Sequence, residues 1–451
     1  MKIQNNESLK KTEEAFETVS SRLFEMLGNN ECLTISIDGE SSHFIRINQS
    51  KVRQVGLVDE VRCSLELKIN RRQTQVVFPF TGEDATDFAK AGLELSRMRE
   101  EVAQFPEDPY LVLPENHGSS REVHSGDLLP VENAVDSLLP IMQGVDLAGI
   151  WASGCIFRGT SNSAGQRNWF STDTFSLDYS LIAPNEKMVK TIFAGTSWNQ
   201  DRFEKQMRES KKQLEVMEAT PKTLAPGHYR TCFAPAAVAS FIEMFSWDGI
   251  SEASLQQGKS ALGRMRQEGE KLSPKFNLSE DFRDGTVPRF NNNGEIALEW
   301  LPLIVDGRLE NTLISSRTAK EYGKESNFAA NGESMRSPVM SGGDLDETKL
   351  LQTLDTGLFL SNLHYLNWSD RMGGRITGMT RYACFWVEDG KIVAPIENMR
   401  FDDSLYRIFG EHLEAVSEST QFIPEIGTYE GRQLGGIRCP SMIVDAFELT
   451  L

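Results

Sequence analysis

The stretch GLFLSNLHYLNWSDRMGGRITGMTRYACFWVEDGKIVAPIENMRF, residues 357–401, decides how the rest of the chain is understood. It opens on an apolar run, Gly357-Leu358-Phe359-Leu360, suited to a buried strand. From Asn367 to Gly374 it turns polar and irregular. A second strand pattern, Cys384-Phe385-Trp386-Val387, meets a turn at Glu388-Asp389-Gly390 and returns as Lys391-Ile392-Val393-Ala394. Asp-Gly between two such runs signals a hairpin. Between the strands lies Thr377-Gly378-Met379-Thr380-Arg381, which reads either as a tight loop or as a set of donors for an extended peptide.

Working outward, residues 8–27 have the spacing of an amphipathic helix, closed by Gly28. Leu33, Ile35 and Ile37 alternate with Thr34, Ser36 and Asp38, and Cys63, Leu65 and Leu67 with Ser64, Glu66 and Lys68. Such a period of two predicts a sheet with one wet face. Further helices are expected over 84–105 and 130–142, and strands over 145–193. The expected class is α+β: a mostly antiparallel N-terminal domain over 1–198, a bridging helix and linker over 199–222, and a β-rich domain with a closed, barrel-like or curled sheet over 223–451. In the last, a strand ends at Pro235 and a helix over 236–245 is apolar on nearly every side. A strand over 309–315, a short helix over 403–409 and a final strand over 441–449 complete the expectation.

Hydrophobic content of 39% and charged content of 25% are those of a soluble globular protein, and 451 residues suffice for two cores. A net charge of -18 repels polyanions, so nucleic acid is not an expected partner. No apolar run approaches the ~20 residues of a membrane helix, and the N-terminus shows no apolar signal segment. The six cysteines are scattered without a CxxC pair, as expected of reduced thiols in a cytoplasmic protein.

Catalytic constellations are sparse. No two of the six histidines stand three or four residues apart, so no helical metal pair exists. His117 and His124, with Glu115, Glu122 and Asp127 nearby, form a weak metal constellation, and Glu411-His412 reads as a solvated helix start. Cys384 reads as a core thiol, with a Cys384–His364 nucleophilic pair as the other possibility. The MGGRITG segment is no phosphate loop.

Taken together, GLFLS, the His364-Tyr365 pair, TGMTR and EDGKIVAPIENMRF resemble the C-terminal half of the TldD/PmbA proteins, also called TldD/TldE or modulator of DNA gyrase. RINQSKVRQ at 46–54 and PGHYRTCFAPAAVA at 226–239 are similar to further segments of that family. Its catalytic members are zinc peptidases with HExxxH on the helix after the PGxY strand. The matching helix here, PAAVASFIEMFSWDG, has no histidine, and Glu243 is the only acid before its closing Asp248. The resemblance therefore implies a TldE/PmbA-type chain with no catalytic or metal-ligating residues of its own. It implies a TldD-type partner bearing HExxxH and the zinc, or self-association as a dimer, and a peptide substrate from unfolded or leader peptides. TGMTR departs from the shorter loop of many TldE-type chains. Expected peptide contacts are Tyr365, Asn367, Thr377, Met379, Thr380 and Arg381, with Ser334 and Arg336 from a second loop. The alternative is a stand-alone homodimer that binds peptide or another ligand without hydrolysis.

Overall fold

Alternation in the first part of the chain builds a sheet with chemically different faces. The computed structural model describes residues 2–450, with side chains from residue 7 onward. Strands β1 (Glu31–Asn48) and β2 (Lys51–Ile69) form a long antiparallel hairpin. Leu33, Ile35, Ile37, Cys63, Leu65 and Leu67 are buried beneath helices α1 (Lys2–Glu25) and α2 (Asp84–Glu101). Thr34, Ser36, Asp38, Ser64 and Glu66 project from the opposite face, as the strand period requires. With β3 (Arg72–Pro79), β4 (Ser120–His124), β5 (Asp146–Asn162), β6 (Arg167–Ile182) and β7 (Met188–Gly195) the sheet runs β3-β2-β1-β5-β6-β4, β7 also pairing with β6. Its one parallel pair among the described residues is β4 with β6. Helices α3 (Val131–Met142) and α4 (Gln200–Met217) cover Trp151, Leu177 and Tyr179 at the other end of the apolar face.

The second sheet contains β8 (Gly227–Phe233), β9 (Leu278–Asp281), β10 (Trp300–Val305), β11 (Arg308–Leu309), β12 (Pro338–Met340), β13 (Gly357–Asp370), β14 (Arg375–Glu388), β15 (Lys391–Pro395), β16 (Arg400–Ser404), β17 (Leu413–Pro424) and β18 (Gly436–Leu449). Strand β8 pairs with both β13 and β18, so the run β18-β16-β14-β13-β8 returns on itself and the sheet curls into a ring. Helix α5 (Pro235–Ser246) packs on it through Phe241, Ile242 and Phe245, against Phe401, Phe409 and Phe447. The α+β class with an antiparallel N-terminal sheet and a curled, β-rich C-terminal sheet is the observed one.

Local expectations differ in three places. Thr377–Arg381 is no loop but part of β14, and the turn before it is confined to 371–374. Ile376 and Thr380 face inward, while Met379 is exposed. A Cβ at Gly378 would come within 2.6 Å of the Phe401 ring, so this glycine lets the neighbouring strand close in. Residues 403–404 belong to β16, and the short helical turn is Arg407–Glu411. The strand expected over 309–315 shrinks to Arg308–Leu309: the Glu310 and Asn311 N–H groups converge on the one Leu303 carbonyl, which ends the regular ladder, and Leu313 makes an isolated bridge to Ser251.

The two sheets share a core. Ala383 and Phe385 of β14 are buried among Ile45, Trp151, Leu177, Phe203 and their neighbours from the N-terminal half. No helix among the described residues is long and apolar enough to cross a membrane. Truncating the fully buried Phe385 loses packing in both halves at once. Phe385→Ala should cost about 3–5 kcal/mol in denaturant unfolding, with both halves melting earlier.

Candidate functional site

The wet face of the first sheet does not look out on bulk water. It forms one wall of a cavity of about 730 Å³ lying between the two sheets. Thr34, Ser36 and Asp38 of β1, Ser64 and Glu66 of β2, and Arg158 and Thr160 of β5 line that wall. Opposite them runs a stripe of α5 at helical spacing: Ala236, Ala239, Ser240, Glu243, Ser246 and Trp247. The helix is thus less uniformly buried than its composition suggests. Loops carrying Pro288, Phe290, Asn291, Ser334, Met335 and Arg336 close the sides.

Most charges on the walls are already engaged. Arg158 Nε lies 2.7 Å from Asp38, and burial holds its guanidinium below its ordinary range despite that carboxylate. Glu66 pairs with Lys68 at 2.8 Å. Arg336 donates to the carbonyls of Pro288, Arg289 and Phe290 at 2.9–3.1 Å. Burial lowers its pKa, opposed by Glu280. The buried Glu280 in turn accepts from the backbone N–H groups of Arg336 and Ser337 at 2.6 and 2.7 Å, fixing that loop. Glu243 is different: it opens into the lumen, and protein on several sides strips enough water to push its carboxyl up. The Glu425 carboxylate adds to the effect.

A strap over 425–435, between β17 and β18, borders the cavity through Glu425, Gln433 and Leu434. Arg432 roots it in the first sheet. Its backbone N–H donates to Glu40 at 3.1 Å, and its guanidinium reaches Ser42 Oγ and Thr174 Oγ1 at 3.3 and 2.8 Å. Burial pulls this guanidinium down to about 10, against the pull of Glu40. On the strap's far side lies a second cavity of about 430 Å³, lined by Thr174, Ile192, Arg202 and Phe422 and again by Glu425, Gln433 and Leu434.

The expected peptide contacts divide in two. Ser334 and Arg336 line the large cavity, although the Arg336 guanidinium is occupied by carbonyls. Tyr365, Asn367, Thr377, Met379, Thr380 and Arg381 lie on the β13–β14 hairpin, outside that lining. There Thr380 is 1% exposed and accepts from the Met399 N–H at 2.9 Å, so its hydroxyl is internal. Thr377 donates to the Phe401 carbonyl at 3.0 Å. Tyr365 is 73% exposed, has a left-handed φ of 52°, and lies against the His364 ring, tilted 43° to it, with ring centroids 3.9 Å apart. Arg381 sits over the Tyr382 ring at 5.3 Å.

Other candidates resolve as structure. Cys384 is buried, its thiol 3.2 Å from the Arg381 carbonyl, and burial pushes it up to about 11. It pairs across the ladder with Leu360, whereas His364 pairs with Met379, so the two are not neighbours on the strands. His117 and His124 contact Glu115 and Glu122, each with a separate aromatic neighbour, Phe328 and Phe170. The polar wall of β1, β2 and β5 escaped sequence reasoning as a site, although its alternation was legible.

A polar-walled chamber between an antiparallel sheet and a curled β-rich sheet, bordered by one helix, defines a two-sheet α+β protein built around an internal cavity. The PmbA/TldA metallopeptidase C-terminal domain matches residues 226–451, and the chain belongs to the PmbA/TldA (TldD/PmbA) family. No curated protein matches it. Among solved structures it is similar to a Thermotoga maritima protein described as a modulator of DNA gyrase, at 15% identity and TM-score 0.74 over 96% of this chain and 100% of that one. TldE from Thermococcus kodakarensis is 13% identical, with TM-score 0.75 over 97% and 100%. A modulator of DNA gyrase from Bacteroides thetaiotaomicron is 15% identical, with TM-score 0.76 over 98% of each chain. At these identities the likeness is one of fold.

The zinc of the family's motif does not fit the residues present. The α5 stripe offers one carboxylate and no imidazole. Cys439, at the base of α5, is 3.2 Å from the Pro235 carbonyl and pushed up by burial to about 12. Among the described residues no three His, Cys, Asp or Glu side chains group as metal ligands.

Two outcomes follow from these environments. Native alkylation near neutral pH should label the partly exposed Cys32 ahead of the five buried thiols; labelling of Cys384 first would restore it as a nucleophile. A carboxyl whose pKa is raised in the fold costs stability as pH climbs through the raised value. Glu243→Gln should therefore raise the melting temperature at about pH 8 and leave it unchanged at about pH 4.

Proposed function

We propose that this chain is a non-hydrolysing TldE/PmbA-type subunit that encloses extended peptide beside a TldD-type, HExxxH-bearing chain. The carrying observation is the α5 stripe: where the family's motif would bring imidazoles, two methyls, two hydroxyls, one carboxylate and an indole face a peptide-sized chamber. Such a surface holds a ligand by shape and hydrogen bonds and has no group to activate water by metal coordination. Ser36, Thr160, Asn291 and Ser334 offer polar groups for the main chain of an extended peptide. Tyr365, Asn367, Met379 and Arg381 form a separate contact on the β13–β14 hairpin, for the partner chain or the peptide leading to it. Thr380, buried, and Arg336, its guanidinium held by three carbonyls, act in this reading by shaping the backbone of the site. The six unpaired cysteines support a reducing, cytoplasmic setting.

The test is fluorescence anisotropy with an unstructured labelled peptide, alongside sequencing of proteins that co-purify from native extract. The purified chain should bind without turnover, and a stoichiometric HExxxH chain should be captured. Ser240→Trp, which puts an indole into the chamber from the α5 stripe, should weaken binding at least ~10-fold, and Arg381→Ala should weaken capture of the catalytic chain. Peptide cleavage by the pure chain that survives a chelator would overturn the reading.

A further inference from the structure

We propose that a small cavity on the helix side of the first sheet binds a free α-amino acid as its zwitterion. The site faces away from the chamber and does not rest on the peptide reading.

Alternation carries β5 from one face of the sheet to the other at this point. Thr160 lines the chamber, and Ser161, the next residue, lines a cavity of about 270 Å³ on the opposite face. Cross-strand pairing sets Arg167 directly opposite Ser161, with Trp169 two residues further along the same face. Arg121 of β4 is level with Trp169, and α1 supplies Glu13, Phe16 and Glu17 to the lining. A Cβ on Gly159 would come within 3.1 Å of Phe16 and 3.2 Å of Trp169, so this glycine lets the two rings approach as an apolar flank.

The polar part of the lining has unmade bonds. Trp169 and Ser161 are 4% and 1% exposed, yet neither the indole Nε1 nor the hydroxyl has a hydrogen-bond partner among the described residues. A buried donor left unmade costs about 1–3 kcal/mol, and an indole N–H is satisfied only by an acceptor. Arg167, exposed at the rim, has no ion pair or side-chain hydrogen bond among the described residues. Two unmet donors and a guanidinium on one cavity are the donor set of a carboxylate.

The roof asks for the opposite charge. Arg121 holds both oxygens of Glu13 at 2.7 and 3.0 Å, so that pair is spent. Glu17, on the next turn of α1, has no ion-pair partner among the described residues. A plain anion would meet the repulsion of Glu17, and a plain cation that of Arg167. A molecule with carboxylate and ammonium on one carbon answers both, its carboxylate toward the sheet and its ammonium toward the helix. The cavity is smaller than the ~300–1,000 Å³ of drug-sized sites, which suits a single amino acid whose side chain lies along Phe16 and Trp169.

Isothermal titration of the full chain with L-leucine is the test. It is run beside N-acetyl-L-leucine, which lacks the ammonium, L-leucinamide, which lacks the carboxylate, and inorganic phosphate. L-leucine should bind at one site per chain, and each of the others at least ~10-fold more weakly. Arg167→Gln and Glu17→Gln, at exposed positions, should each weaken L-leucine about 10-fold or more with unchanged circular dichroism. Trp169→Phe, which keeps a ring and removes the N–H, should weaken it too. Ser240→Trp, in the chamber, should leave L-leucine binding intact. No binding of L-leucine, N-acetyl-L-leucine or phosphate bound as tightly as L-leucine, or binding lost in Ser240→Trp but kept in Arg167→Gln would each overturn the proposal.

Discussion

Phe385 belongs by sequence to the second half of the chain and by burial to the first. Its ring lies within the N-terminal apolar cluster, fully covered. Strand β14 thus serves two cores, with Ile376 and Cys384 facing one and Ala383 and Phe385 the other. Dispersion contacts at such a shared position set the distance and tilt between the sheets more firmly than any surface ion pair. The chamber is the space left over once that placement is made.

That origin explains the chemistry of the walls. A sheet needs only one face for its core, and strands β1 and β2 give Leu33, Ile35, Ile37, Cys63, Leu65 and Leu67 to the helices above them. Thr34, Ser36, Asp38, Ser64 and Glu66 between them are polar and line the chamber. Dielectric conditions there lie between water and protein interior. The engaged pairs, Arg158 with Asp38 and Glu66 with Lys68, fit this setting, and at Glu243 burial and the Glu425 carboxylate push the carboxyl up.

Much of this was legible in the sequence where the signal is local. The alternation at 33–37 and 63–67 gave the sheet and its wet face, and Asp389-Gly390 marked a hairpin whose φ angles of 51° and 70° suit that pair. TGMTR reads as a loop because its glycine and small hydroxyls show no apolar alternation, despite two β-branched threonines; the neighbour that closes on it, Phe401, acts through space. The chamber was illegible for the same reason. Its walls come from residues in the thirties, the sixties, the two-forties and the four-twenties, and nothing in any one segment announces the others. Nothing in the segment around Arg432 sets that arginine apart. Its role depends on Glu40, Ser42 and Thr174, which belong to strands of the N-terminal sheet.

The strap rooted by Arg432 has a topological meaning. Two rooms of about 730 and 430 Å³ share it as a party wall. Lifting the wall would strand a buried guanidinium and the Glu40 carboxylate away from their partners, a penalty of several kcal/mol. The rooms are therefore two compartments in the resting molecule, kept apart by one segment of backbone whose buried anchor is a single side chain.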